Sequence, residues 1–519
     1  MITTGDDLMA YYDWAITVFL VVAMLVAAFY TKSKTRDVAD FIVAGRKVRK
    51  WLGMSAMQAS GTGIVSIALL GQEGFSRGFS YYWVTLAIGM VALIFFGVYG
   101  FGIERFRSTN AMTAAQFHEM RYSRGVRILV GVVMGVGGIL NMALFPIIAA
   151  RFLCYFLGWP ESFLLLGLHI STPLLIVGIL LSFAVLFALI GGQVTVVLTD
   201  YIQSVLMAVG FFIILFLVSR SMGILPVFEE MYELKGDAAF NPLLSGSYGI
   251  TWIVWSFAVA LLGTFSFGVS LNRLATAANP KVTRQIVLLS TVFTQGRVLM
   301  FLFFGVAAYI TLRDKMPVGL TGEEYHRVVV GMFFHQFMPP LMCGFMLAVF
   351  LFAEIATDDS YILTWASIIV NDVICTSLKK PLLPKEHLFL LKCTVVVIAG
   401  FIFFWGAFYK PSESILNYLT LTGTMWLGGG IALLFGLYWK RANTAGAYAA
   451  VLSCMLIPLA DMILRQILTP QVYHIRHQDA GLLAIGVGTG LLIIFSLFSS
   501  GQTKFVNYGQ AVKLSEIHD

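Results

Sequence analysis

The chain has 519 residues, 59% of them hydrophobic and only 12% charged, with a mean hydropathy of +0.85. No water-soluble core could bury that much apolar surface, so lipid must solvate most of it. The net charge of +7 lies in short loops with no basic tail or base-stacking module, which suits an anionic membrane leaflet rather than nucleic acid.

Apolar runs of about 20 residues recur along the chain, the length of a helix that crosses a core about 30 Å thick. Spanning strands would need only about ten alternating residues, so a barrel is disfavoured. In chain order the runs fall at roughly 10–30, 49–72, 79–101, 126–157, 162–190, 194–219, 250–271, 284–312, 338–374, 388–409, 413–439, 443–466 and 480–500. The expectation is an all-α polytopic membrane protein with about 13 transmembrane helices. The first run follows Asp6 and Asp7 and lacks a basic start and a small-residue cleavage site, so it reads as a retained helix and not a signal peptide.

The second run is interrupted by Ala59-Ser60-Gly61-Thr62-Gly63 and the seventh by Gly263-Thr264-Phe265-Ser266-Phe267-Gly268. Glycines and small hydroxyl residues in mid-membrane free backbone groups that lipid cannot satisfy. A single such break is ordinary glycine-mediated helix packing. A matched pair in corresponding positions of two halves is instead the sign of an inverted-repeat transporter with its site between them.

Three other spans carry chemistry. The sixth holds Asp200, the eighth holds Arg297 near its middle, and the ninth holds Glu354, Asp358 and Asp359. Burying such charges unpaired is costly, so each is a functional candidate, with structural pairing as the alternative. Glu354 and Arg297 are expected to pair; otherwise Arg297 is free to grip a solute carboxylate. In the ninth span Ala353, Ala356, Thr357 and Ser360 recur at helical spacing and share one face, where small residues expose carbonyls and hydroxyls add oxygens suited to a hard cation. Cys154, Cys343, Cys375, Cys393 and Cys454 have no CxxC spacing and read as packing residues.

The Lys/Arg distribution orients the chain. With the N-terminus outside, inner loops hold 22 basic residues, among them Lys32, Lys34, Arg36, Arg105, Arg107, Arg273, Lys379, Lys440, Lys504 and Lys513, and outer loops hold nine, including Lys410. The N-terminus is therefore expected outside and the C-terminus in the cytoplasm, in a plasma membrane of bacterial inner-membrane type.

Several stretches in the right order resemble the sodium:solute symporter family, whose members carry proline, sugars, pantothenate, sialic acid or iodide. They are Asp40-Phe41-Ile42-Val43-Ala44-Gly45-Arg46, Gly191-Gly192-Gln193 with Thr199-Asp200-Tyr201-Ile202-Gln203, and Asn272-Arg273 with Asn279-Pro280-Lys281. Pro339-Pro340, Ala356-Thr357-Asp358-Asp359-Ser360, Asn371-Asp372 and Gly436-Leu437-Tyr438-Trp439-Lys440-Arg441-Ala442-Asn443 with Gly446-Ala447 complete the set. The resemblance implies a five-plus-five inverted-repeat core with two broken helices. It divides the chain into an extra helix and inner loop at 1–48, repeats at 49–219 and 250–439 around an outer loop at 220–249, accessory helices at 440–500 and a tail at 501–519.

It also implies one sodium site where the first broken helix meets the ninth span. The ligands would be the carbonyls of Ala59, Thr62 and Ala353 and the Thr357 hydroxyl, with Ala356 where many members have Ser. A second sodium is implied in some relatives at positions matching Asp200, Asp359 and Ser360. Substrate-lining positions would be Gln58, Ser66, Asn141, Trp255, Phe265, Arg297 and Trp426. The function expected is sodium-coupled symport of a small organic solute, with a lean to a carboxylate-bearing one and no protein partner implied. A proton-coupled carrier working through Glu354, Asp200 or Asp359 is the alternative; the short tail argues against a sensor and the missing filter repeat against a channel. No HExxH, P-loop or Gly-x-Ser-x-Gly in a fitting context suggests an enzyme.

Overall fold

The computed structural model describes residues 9–31, 38–165, 168–244, 249–317, 320–409, 415–468, 472–498 and 505–508. Asp6, Asp7, the basic residues Lys32, Lys34, Arg36, Lys410, Lys504 and Lys513, and most of the tail at 501–519 lie outside them.

The spans follow one another as helices α1 (Tyr11–Thr31), the pair α2 (Lys50–Ser60) and α3 (Ile64–Arg77), α4 (Ser80–Ala92), then α5 (Arg124–Met142) and α6 (Phe145–Leu157). After these come α7 (Thr172–Met222), the pair α8 (Ile250–Gly263) and α9 (Gly268–Thr276), α10 (Pro280–Leu312) and α11 (Met342–Ile368). The last are α12 (Pro384–Phe408), α13 (Ile415–Met425), α14 (Leu427–Tyr438), α15 (Thr444–Ile467) and α16 (His477–Phe498).

By length and composition nine described helices qualify as membrane spans, or ten with the bent pair α2 and α3. The difference from thirteen has visible causes. Helix α7 is 51 residues long, about 77 Å at 1.5 Å per residue, so it holds two crossings. They join at Gly191 and at Gly192, whose φ of 56° places it in the left-handed region. Helix α11 carries three carboxylates, and the run at 413–439 is divided at Trp426. Among the described residues the fold is thus helical apart from one short hairpin, Ser162–Leu165 paired antiparallel with Leu168–Ser171. The two strands lie at the start of the span expected at 162–190.

Large apolar side chains such as Phe19, Phe212, Phe216, Phe404 and Phe408 are exposed on the outer faces of these helices, as lipid contact requires. Helix α11 is the opposite case: nearly every residue from Leu347 to Ile368 is buried, which makes it the central post of the bundle. Its start is fixed by α1, where Asp13 Oδ1 accepts the Gly344 amide at 2.9 Å and so satisfies one of the orphan N–H groups of the helix N-terminus. Helices α3 and α10 touch backbone to backbone, since a Cβ on Gly305 would stand 2.0 Å from the Gly71 carbonyl oxygen. That contact holds the second half of the first broken helix against the span that carries Arg297.

Candidate functional site

Helices α2 and α3 meet at 64° across Gly61-Thr62-Gly63. The freed backbone groups are largely taken up locally. Thr62 Oγ1 donates to the Gln58 carbonyl at 2.5 Å, Ser66 Oγ to the Gly61 carbonyl at 3.1 Å, and the Thr62 amide to the Ala59 carbonyl at 3.0 Å. At the new N-terminus, Glu354 Oε2 accepts the Ile64 amide at 2.9 Å, placing a carboxylate at the positive end of α3.

The break lies directly against α11. A Cβ built on Gly63 would stand 2.7 Å from Thr357 Oγ1 and 3.2 Å from Glu354 Oε2, so only glycine permits the approach. Thr357 Oγ1 in turn donates to the Ala353 carbonyl at 3.1 Å. Ala59, Thr62, Ala353, Ala356 and Thr357 are all buried here. The Ala59 carbonyl already accepts the Thr62 amide and the Ala353 carbonyl the Thr357 hydroxyl, so an ion there would share these oxygens with the chain's own donors.

Arg297 does not pair with Glu354. Its Nη1 donates to Gln58 Oε1 at 2.9 Å, to the Gln58 carbonyl at 3.1 Å and to Thr62 Oγ1, while its Nε is buried with no partner among the described residues. The reason is positional: Arg297 reaches the end of α2, whereas Glu354 is held one turn further on by the α3 N-terminus. Gln58 is fixed as well, donating through Nε2 to the Ser290 carbonyl at 2.6 Å and to Thr294 Oγ1 at 3.1 Å.

Asp200, Asp359 and Ser360 do come together, but around a side chain of the protein itself. Arg273, from α9, places Nη2 2.5 Å from Asp200 Oδ2 and also donates to Ser360 Oγ. Asp359 Oδ1 accepts from Ser360 Oγ at 3.1 Å. Arg273, expected from the sequence as an inner-loop basic residue within a family stretch, is instead buried. The cost of leaving Asp200 unpaired in the membrane was the signal that such a partner had to exist.

At the second break, Ser266 Oγ donates to the Leu262 carbonyl at 2.9 Å. Phe265 is fully buried against Phe96, with ring centroids 5.6 Å apart, and faces helix packing rather than the space between the breaks. Phe267 is the ring that turns inward. It lies 5.6 Å from Tyr361, 6.2 Å from Trp365 and 5.7 Å from Trp426. Trp255 faces α16, where a Cβ on Gly481 would meet its indole nitrogen at 2.5 Å. Asn141 ties the α5 end to α13 through Thr422 Oγ1 at 2.8 Å. Of the seven expected lining residues, Gln58, Ser66 and Arg297 are thus gathered at the first break, Trp426 is near the second, and Asn141, Trp255 and Phe265 are engaged in helix contacts.

A cavity of about 330 Å³ lies apart from both breaks, among Arg151, Glu161, Glu324, Arg327 and Tyr409. It sits beside the first half of α6, the end of α12 and the start of α7. Hydrogen bonds from the Thr321 backbone and hydroxyl hold the Glu324 carboxyl there below its usual range.

Two broken helices flanking a buried oxygen-rich stripe are the geometry expected of an ion-coupled carrier. Residues 41–454 match the family model described as the sodium:solute symporter family. The chain belongs to that family. It is 25% identical over 454 residues to an osmoregulated proline transporter of Bacillus subtilis, covering 83% of this chain and 85% of that one. It is 24% identical over 482 residues to a sodium/proline symporter of Staphylococcus aureus, covering 88% of each. Among solved structures, the substrate-bound outward-open state of a Na+-coupled sialic acid symporter superposes with a TM-score of 0.80 at 16% identity, covering 96% of this chain and 99% of that one. MhsT in complex with L-phenylalanine gives 0.53 at 15% identity, covering 87% and 98%. The architecture is therefore that of sodium symporters with a five-plus-five inverted-repeat core. The protein is an integral membrane transporter, not an enzyme, and sodium is its coupling ion.

Proposed function

We propose that this symporter moves a small carboxylate-bearing organic solute inward with one sodium ion by alternating access. The sodium ion would be held by the carbonyls of Ala59, Thr62 and Ala353 and the Thr357 hydroxyl. With Ala356 in place of a hydroxyl residue, water would supply the remaining ligand. The observation that carries this reading is the approach of Gly63 to Thr357, which sets the end of the first broken helix against the small-residue stripe of α11.

A second sodium at Asp200, Asp359 and Ser360 is not part of the proposal, because the Arg273 guanidinium already supplies a cation there. Arg297, with Nε unpartnered at the first break, is the group proposed to hold the solute carboxylate. The core repeats are taken as 49–219 and 250–439, and the membrane as a plasma membrane of bacterial inner-membrane type, with the N-terminus outside and the C-terminus in the cytoplasm. The charge distribution supports that orientation, since it follows the positive-inside rule.

The test is thermal stabilisation of the purified protein by a panel of amino acids, sugars, carboxylates and vitamins, each with sodium or with potassium. A ligand at 100 times its Kd stabilises the folded state by about 2.7 kcal/mol. The expected result is a carboxylate solute that stabilises in sodium far better than in potassium. Thr357→Ala removes one oxygen from a charged ligand, a loss of about 1.5–3 kcal/mol, which corresponds to roughly 10- to 100-fold in sodium affinity. Stabilisation that ignores sodium and follows pH would overturn the reading in favour of proton coupling. Loss of the solute effect in Arg297→Gln, with sodium binding kept, would support the carboxylate contact.

A further inference from the structure

Beside the stripe formed by Ala353, Thr357 and Ser360, α11 carries a second one, displaced by one residue: Glu354, Asp358 and Tyr361, at the spacing that puts all three on one face. Glu354 and Asp358 are fully buried. Among the described residues, Glu354 has one oxygen on the Ile64 amide and one without a partner, and neither oxygen of Asp358 has a partner. Two buried basic groups of the core are engaged with other residues, Arg297 with Gln58 and Thr62 and Arg273 with Asp200 and Ser360. Three unpartnered carboxylate oxygens one turn apart call for a cation that the protein does not itself provide.

The surroundings decide which kind of cation. One turn beyond Asp358, Tyr361 packs with Phe145 at 5.5 Å and Phe267 at 5.6 Å, and Trp365 and Trp426 complete the cluster at 6.2 Å from each other. Phe267 and Phe145 lie at the second break and at the junction of α5 and α6, so the cluster faces the space between the broken helices. Ring faces give a sodium ion no oxygen ligand, but they attract organic cations, whose charge is spread over carbon and nitrogen. Carboxylates at one end and aromatic faces at the other suit a substituted ammonium.

We propose that Glu354, Asp358 and Tyr361 form the subsite for the positively charged ammonium group of the transported solute. This deepens the symport reading and rests on it: the solute carries a protonated or quaternary nitrogen, and with its carboxylate at Arg297 it is a zwitterion. The first break separates the two charged ends. A Cβ on Gly61 would lie 3.6 Å from Arg297 Nη2, and one on Gly63 lies 3.2 Å from Glu354 Oε2, so the opposite charges flank the same three residues. Solutes without a positive nitrogen would leave Asp358 unpaired and would be rejected.

The test compares matched pairs of probes on the full-length purified protein in sodium: L-proline against cyclopentanecarboxylate, L-phenylalanine against 3-phenylpropanoate, and glycine betaine against 3,3-dimethylbutanoate. At least one ammonium-bearing member should raise the melting temperature while its nitrogen-free partner does not. Asp358→Asn should weaken that binding by 100-fold or more and leave stabilisation by sodium alone in place. Should Asp358→Asn not purify, Glu354→Gln, whose amide oxygen can still accept from Ile64, serves instead with a loss of at least tenfold. Equal stabilisation by both members of a pair overturns the proposal, as does a panel in which no ammonium compound stabilises or a variant that binds it unchanged. Failure of the symport reading itself has a different signature, the absence of any response to sodium in the unaltered protein.

Discussion

Arg273→Met should be among the most damaging single changes in this protein. The variant leaves Asp200, fully buried on the second crossing of α7, without its guanidinium. Breaking a buried pair by removing one partner costs about 3–5 kcal/mol, because the remaining charge stays uncompensated. Asp359 shares the loss, since its carboxylate lies in the field of both Asp200 and Arg273. The expected outcome is a large drop in melting temperature in potassium buffer, with uptake reduced to background. Sodium supplies the control. If Arg273 stands where a second cation would sit, removing it opens the group of Asp200, Asp359 and Ser360 to sodium, and the variant should regain part of its stability as sodium rises, along a steeper curve than the unaltered protein. Asp200→Asn combined with Arg273→Met should recover stability in potassium, because the pair is removed together. A single variant as stable as the parent would show the pair to be dispensable, and a sodium response no steeper than the parent's would remove the case for Arg273 as a built-in cation.

The parts of this site that were legible in the sequence are those written in local composition. Gly61, Thr62 and Gly63 in one apolar run and Gly263 to Gly268 in another point to interrupted helices, because their matching places weigh against helix-packing glycines alone. The stripe on α11 is equally local, since helical spacing alone puts Ala353, Ala356, Thr357 and Ser360 on one face. What spacing cannot say is what each face meets. Arg297 and Glu354 both lie near the middle of their spans, and depth alone made them a pair; the structure separates them because Gln58 and the α3 N-terminus, from a third segment, reach each first. The second break shows a related limit. Phe265 and Phe267 stand two residues apart in non-helical backbone, where no period tells which ring points inward, and the inward one is Phe267. The hairpin at 162–171 was hidden for the reason that short apolar strands continuing into an apolar helix read as one run.

Gly63→Ala carries the second large effect, through distance rather than charge. The backbone of Gly63, with φ −56° and ψ 160°, is one that alanine can adopt, so the change introduces no conformational strain. What it introduces is a methyl group 2.7 Å from Thr357 Oγ1, closer than real Cβ contacts, against a helix buried on all sides. Overpacking a close-packed interior costs about 1–3 kcal/mol, and the relief available is for the break and α11 to move apart. The proposed sodium ligands lie on both sides of that contact, so separating them should lower sodium affinity by at least the roughly 10- to 100-fold expected for Thr357→Ala, because several oxygens lose their distance to the ion at once. Gly296→Ala is the matched control: a Cβ there meets nothing within 4 Å, and within α10 the change should stabilise by about 0.4–1 kcal/mol. Sodium titrations of the melting temperature on the two variants decide the matter. Loss of the sodium response in Gly63→Ala with a normal one in Gly296→Ala places the ion at the junction of the first break and α11. A normal response in both would mean that sodium binds elsewhere and that the close approach of Gly63 is packing alone.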